Sequence, residues 1–372
     1  MVSSLPIINE PEKSKPQTSN KKSQFNFYFL IILTRTIFLR FYYDLMKYRT
    51  LGKTGFKVSE IGYGAWSLGA DWGDVSEEEA FDTLHAVLDA GINFIDTADV
   101  YGDGRSEKRI AAFRKKTQKE FYVATKLGRR LQHFVSEEFS RKNMYSFVER
   151  SLENLETDCL DLLQLHTPPT QVYYMPEVFE VLEDLVKQKK ICHYGVSVEK
   201  VEEAIKAIQY PNVATVQIIF NIFRQRPMEY FFQEAMKKNV GVIVRVPLAS
   251  GLLTGKMTGN TQFSDNDHRK FNRKGEAFDV GETFAGIDFE QGLAAVEKLK
   301  AIKPEEYTMS QLSIKWILMQ EAVSTVIAGA KTPAQVQENV KASVLKDLDK
   351  KVMEEIDSIY SEDIKPQVHH RW

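Results

Sequence analysis

The chain has 372 residues, 43% of them hydrophobic and 27% charged, with a formal net charge of −2. That length can bury a large core, and the near-neutral balance gives no general pull toward nucleic acid or an acidic membrane. The only cysteines, Cys159 and Cys192, have neither CxxC nor Cys/His spacing. A disulfide framework and a cysteine metal site are therefore not expected, and a reducing, cytoplasmic setting is implied.

Residues 1–45 differ in character from the rest. Residues 1–22 are rich in Ser, Lys, Asn and Pro, a composition that reads as disordered. Residues 25–43 are apolar and aromatic but interrupted by Arg35 and Arg40. The unbroken apolar run is far short of the ~20 residues needed to span a bilayer, and no small-residue cleavage site follows it. Two readings stay open: a targeting or peripheral-anchor segment, or a natural start at Met46 with translated non-coding sequence before it. The catalytic domain is expected over 46–372.

From Met46 onward, short apolar runs alternate with helical periodicity. Strands are predicted at 61–65, 93–96, 121–126, 160–166, 193–197, 213–217, 241–245 and 324–328. They are apolar at nearly every position, as when both faces of a parallel strand are buried. Amphipathic helices lie between them, for example Val178, Val181, Leu182 and Leu185 on one face. Eight such pairs predict an α/β protein with a (β/α)8 barrel. The competing architecture, an open doubly wound sheet, wants GxGxxG after an early strand; Gly62-Tyr63-Gly64 and Gly102-Asp103-Gly104 lack the third glycine. Residues 48–58 are predicted to form a hairpin capping the barrel floor. The long segment 250–292, after the seventh strand, is predicted to be a functional loop.

Four polar residues fall at or just beyond predicted strand ends: Asp96, Tyr101, Lys126 and His166. In a barrel all four meet at the C-terminal mouth. Hydride arriving at a carbonyl carbon builds negative charge on oxygen, which must be protonated. A tyrosine is a protonated acid at neutral pH. An ammonium beside it, from Lys126, eases release of that proton. Asp96 can anchor the ammonium, and His166 can orient the carbonyl oxygen. Singly, each has a bland reading: a helix cap, a rim aromatic, a strand-end lysine and a structural histidine. Jointly they predict a carbonyl reductase.

The sequence also resembles the aldo-keto reductase family over 46–372. GINFIDTADVYG (91–102), VATK (123–126) and SLENLETDCLDLLQLH (151–166) are similar to the family's signatures. The resemblance implies a catalytic tetrad of Asp96, Tyr101, Lys126 and His166, with Tyr101 as general acid and NADPH/NADP+ as cofactor. It places Ser197 and Gln217 on the nicotinamide carboxamide. Val198 stands where the family usually has Asn. Arg245 stands before Pro247 and Leu248, where an aromatic ring is common; its guanidinium can stack on a π-system in that ring's place, or simply form an ion pair. Ser250, Gly251, Leu253 and Lys256 are implied along the pyrophosphate, with packing as the plainer role for Leu253. Gly329, Lys331, Thr332, Gln335, Glu338 and Asn339 are implied at the adenosine phosphate, where Thr332-Pro333 also reads as a helix start suited to an anion. Many relatives carry Arg at the position of Gln335.

Trp66 and Trp72, with the long loop and the tail ending in Trp372, are expected to wall a pocket for a small carbonyl substrate. A second class stays open: a cofactor-binding regulatory subunit similar to the potassium-channel β subunits of this family. A metal-dependent barrel hydrolase would need several strand-end His/Asp ligands, and only His166 among the seven histidines qualifies.

Overall fold

The computed structural model describes residues 46–69, 75–265 and 267–372. Residues 1–45 and Trp72 lie outside them, and with them the expectations placed there. Eight parallel strands close into a barrel in the order β10-β3-β4-β5-β6-β7-β8-β9. They are β3 (Ile61–Gly64), β4 (Phe94–Asp96), β5 (Tyr122–Leu127), β6 (Leu160–His166), β7 (Ile191–Val198), β8 (Val213–Ile219), β9 (Gly241–Arg245) and β10 (Val323–Gly329). Each predicted strand is found, with ends shifted by at most two residues.

Below them, β1 (Tyr48–Thr50) pairs antiparallel with β2 (Lys57–Ser59). This is the expected floor hairpin. Leu51 and Val58 drive its apolar side into a layer made by Phe94, Ala124, Leu162, Ile243 and Ile327. Gly52 makes the turn possible. Its φ is +50°, and a Cβ there would lie 2.1 Å from the Gly241 backbone nitrogen. Gly52→Ala is therefore expected to cost at least about 2 kcal/mol, read as a lower denaturant midpoint; an unchanged midpoint would show that the hairpin can lift off the floor.

Side chains alternate across a strand, so residues two positions on point the same way. Two residues above Phe94, Ala124, Leu162 and Ile243 stand Asp96, Lys126, Gln164 and Arg245. The apolar layer thus gives way to a polar one at a single level of the barrel. The helices cover the outside, among them α1 (Glu77–Asp89), which starts with a capping box between Ser76 and Glu79, and α2 (Arg105–Arg114). Among the described residues no helix is long and apolar enough to cross a membrane, and no group of His, Cys, Asp and Glu is placed to hold a metal ion.

Candidate active site

Lys126 and Asp96 are paired across neighbouring strands near the barrel axis. The lysine Nζ donates to Asp96 Oδ2 at 2.5 Å, to the Thr97 carbonyl at 2.7 Å and to the Tyr101 hydroxyl at 3.4 Å. Both charged residues are almost fully buried, at 1% and 2% exposure, so water does little to weaken this attraction. Burial disfavours the ammonium, but Asp96 and Tyr101 outweigh that and hold Lys126 more firmly protonated than usual.

Asp96 has further partners. Gln217 Nε2 donates to its Oδ1 at 2.7 Å and Gln164 Nε2 at 3.3 Å, while Ser197 Oγ donates to Gln217 Oε1 at 3.3 Å. Ser197 and Gln217, expected at the cofactor, are thus joined directly to the tetrad. Gln164 was missed by the sequence reading, although it sits two residues before His166 and so shares its face.

Tyr101 lies on the loop between β4 and α2. That loop is pressed against residues 65–69: a Cβ on Gly69 would come within 2.7 Å of the Gly102 nitrogen. The close backbone approach leaves no room for a side chain and fixes where the phenol points. Trp66 stacks on Tyr101 at 6.1 Å between ring centroids, and His166 meets it edge-on at 5.9 Å. Burial raises the phenol's proton affinity, and Asp96 and Glu282 add to it; Lys126 pulls the other way without reversing it. Tyr101 therefore keeps its proton at neutral pH. Burial, together with Lys126, Arg129 and Arg245, pushes His166 well below the usual histidine range. It is a neutral imidazole, and its Nδ1 is buried with no partner among the described residues.

Arg245 is held by two carboxylates, Glu199 Oε1 at 2.8 Å and Glu282 Oε2 at 3.2 Å, and donates to the Val198 carbonyl at 3.0 Å. The ion-pair alternative for this residue is present in the structure. Neither carboxylate was singled out by the sequence reading.

The segment after β9 contains a local backbone kink. Ser250 and Gly251 have φ of +55° and +93°, which turns the chain beside Pro247 and Leu248. Leu253 is fully buried and packs in the core, whereas Lys256 is exposed. At the other end, Thr332 caps α3 (Pro333–Val344), accepting from the Gln335 nitrogen at 3.3 Å. Gln335 folds back to accept from the Lys331 nitrogen at 2.7 Å, and Asn339 Nδ2 donates to the Gly329 carbonyl at 3.3 Å. Glu338 is half-buried, and the space over Gly329 is open. A capped helix start beside a lysine and an uncrowded glycine fits a phosphate group. At the barrel mouth, His166 Nδ1 is buried without a partner among the described residues, and the Ser197 hydroxyl lies beside Gln217. The residues at the helix start fit the phosphate of a dinucleotide, and those at the mouth its polar head.

A (β/α)8 barrel with a buried Asp-Lys pair, a protonated tyrosine and a neutral histidine at its mouth is an oxidoreductase architecture. The sequence profile of the Aldo/keto reductase family matches residues 60–361, and the chain belongs to that family. It is 31% identical to aldo-keto reductase YhdN of Bacillus subtilis (strain 168) over 299 residues, 78% of this chain and 87% of that protein. It is 28% identical to a probable voltage-gated potassium channel subunit beta of Oryza sativa subsp. japonica, over 84% of this chain and 96% of that protein. Among solved structures it is similar to the glycerol dehydrogenase AKR11B4 from Gluconobacter oxydans, with a TM-score of 0.71, 28% identity and coverage of 86% and 96% of the two chains.

Proposed function

We propose that this protein reduces aldehydes and ketones to alcohols with NADPH, with Tyr101 as the general acid. The observation that carries the reading is the hydrogen-bonded run Asp96–Lys126–Tyr101 at the barrel mouth, with the rings of His166 and Trp66 against the phenol. The bound nicotinamide supplies hydride to the carbonyl carbon. The neutral His166 imidazole donates a hydrogen bond to the carbonyl oxygen and orients it. As charge builds there, the Tyr101 proton moves to that oxygen, and the Lys126 ammonium stabilises the phenolate left behind. Asp96 keeps the ammonium in place, and Gln164 and Gln217 keep Asp96 in place. In the oxidative direction the Tyr101 phenolate is the base.

Ser197 and Gln217 are proposed to hold the carboxamide. Pro247, Leu248, Ser250, Gly251, Leu253 and Lys256 are proposed along the pyrophosphate, and Gly329, Lys331, Thr332, Gln335, Glu338 and Asn339 around the adenosine phosphate. Lys331 beside a capped helix start favours a 2′-phosphate, so NADPH is expected to be preferred over NADH. Trp66 is proposed to wall the substrate site.

The test is a panel of aldehydes and ketones assayed with both cofactors. Faster turnover with NADPH is the expected result; no turnover with either would overturn the reading. The potassium channel subunit beta relatives favour a second reading, a regulatory subunit that binds the cofactor without appreciable turnover. Tight NADPH binding with negligible reduction across the panel would favour it.

A further inference from the structure

Arg245 presents an isolated problem. A guanidinium beside Tyr101 and His166 would oppose the oxidised, cationic cofactor and favour the reduced one. The structure brings two acids to it from two different segments. Glu199 follows β7, one residue after Val198. Glu282 comes from the long loop after β9, and that loop is fastened where it carries Glu282. Ser250 Oγ donates to the Glu282 carbonyl at 2.8 Å and accepts from the Phe284 nitrogen at 3.2 Å. Trp372 lies against Gly281 and Gly286, its indole nitrogen donating to Asp279 Oδ1 at 2.9 Å and its ring 4.0 Å from the Arg224 guanidinium. Trp372 is 3% exposed, and these contacts brace the loop.

We propose that the Glu199–Glu282 carboxyl pair is a positioning element of the reaction: by neutralising Arg245 beside Tyr101, it evens the affinity for oxidised and reduced cofactor and holds the proton on Tyr101. The proposal rests on the cofactor reading above.

The two acids divide the work. Burial disfavours charge on Glu282, but Arg245 and Arg129, with His268, hold its carboxyl below the usual range. It is the standing negative charge. Burial pushes Glu199 up to about 8; Glu282 and Asp279 add to the rise, while Arg245 and Arg224 oppose it. Of the two acids, Glu199 is therefore the one that takes up a proton first. The negative charge of Glu282 in turn raises the proton affinity of Tyr101.

Two variants and a control test this. Glu282→Gln, and the double variant Glu199→Gln/Glu282→Gln, are titrated with NADP+ and NADPH by fluorescence. In the double variant, where Arg245 stands uncompensated, the Kd for NADP+ is expected to rise several-fold relative to that for NADPH; in Glu282→Gln, Glu199 ionises in its neighbour's place, so the ratio should instead lose its dependence on pH. Adding Arg245→Gln should return the ratio toward that of the wild type. In the wild type the ratio should move toward NADP+ between pH 7 and 9, as Glu199 ionises, and Glu199→Gln should lose that dependence. The alkaline limb of alcohol oxidation should move to lower pH in Glu282→Gln. An unchanged Kd ratio in the double variant, or a pH dependence that survives in Glu282→Gln, overturns the proposal; the second result holds even if the double variant does not fold. If the wild type binds neither cofactor, it is the cofactor reading itself that fails, and the proposal falls with it.

Discussion

Phenylalanine in place of Tyr101 is expected to lower carbonyl reduction by about 10²-fold or more, the usual worth of a positioned general acid. Cofactor affinity should stay within a few-fold of the wild type. The substitution removes one hydroxyl and keeps the ring that Trp66 stacks on and His166 meets. Lys126 loses its longest hydrogen bond and keeps Asp96 and the Thr97 carbonyl. Folding is therefore not at stake, and a loss of turnover reports on the proton. Because burial raises the proton affinity of Tyr101, reduction by the wild type should be flat through neutral pH. Alcohol oxidation, which needs the phenolate, should still be rising into the alkaline range. Single-turnover reduction of an unactivated aldehyde is the measurement. A rate within a few-fold of the wild type would remove Tyr101 from the role of acid.

The barrel, and the meeting of Asp96, Tyr101, Lys126 and His166 at its mouth, were legible in the sequence for one physical reason. Parallel strands buried on both faces are written as short apolar runs, and a polar residue ending such a run has to answer for its burial. Asp96, Lys126 and His166 each end one, and Tyr101 follows the first. Gln164 carried the same signal, since an amide inside the apolar run LDLLQLH is out of place unless something inside the barrel needs it. The Glu199 and Glu282 partners of Arg245 were not legible. They lie on different elements, and only barrel closure and the path of the long loop bring them to one guanidinium. Trp372 was read as a pocket wall on the strength of an aromatic tail; its burial against Gly281, Gly286 and Arg224 depends on how that loop returns. Helix α2 went unnamed because its apolar face is narrow, with Ile110, Ala111 and Phe113 as its buried apolar residues.

Lys126→Met should be the most damaging substitution at the site, because it harms both chemistry and fold. Methionine is close to lysine in length and fills the same space, so any loss stems from the charge and its three hydrogen bonds rather than a cavity. Asp96 would be left buried with only the donors from Gln164 and Gln217. Breaking a buried ion pair from one side typically costs about 3–5 kcal/mol. The proton affinity of Lys126 is raised in the folded protein. Its pairing therefore contributes stability that is fully present below the ordinary lysine range and lost only as pH rises through the folded value. The deficit of the variant should accordingly be constant across neutral pH and shrink only in strong alkali. Turnover should fall at least as far as in Tyr101→Phe, because the phenolate formed by proton transfer would have no cation beside it. Denaturant unfolding at several pH values measures the first effect. The double variant Lys126→Met/Asp96→Asn separates it from the second. With neither charge present, much of the stability should return while turnover stays low. If the single variant is as stable as the wild type, the Asp96–Lys126 pair does not hold the barrel mouth together; if the double variant regains turnover, Lys126 has no part in the proton transfer.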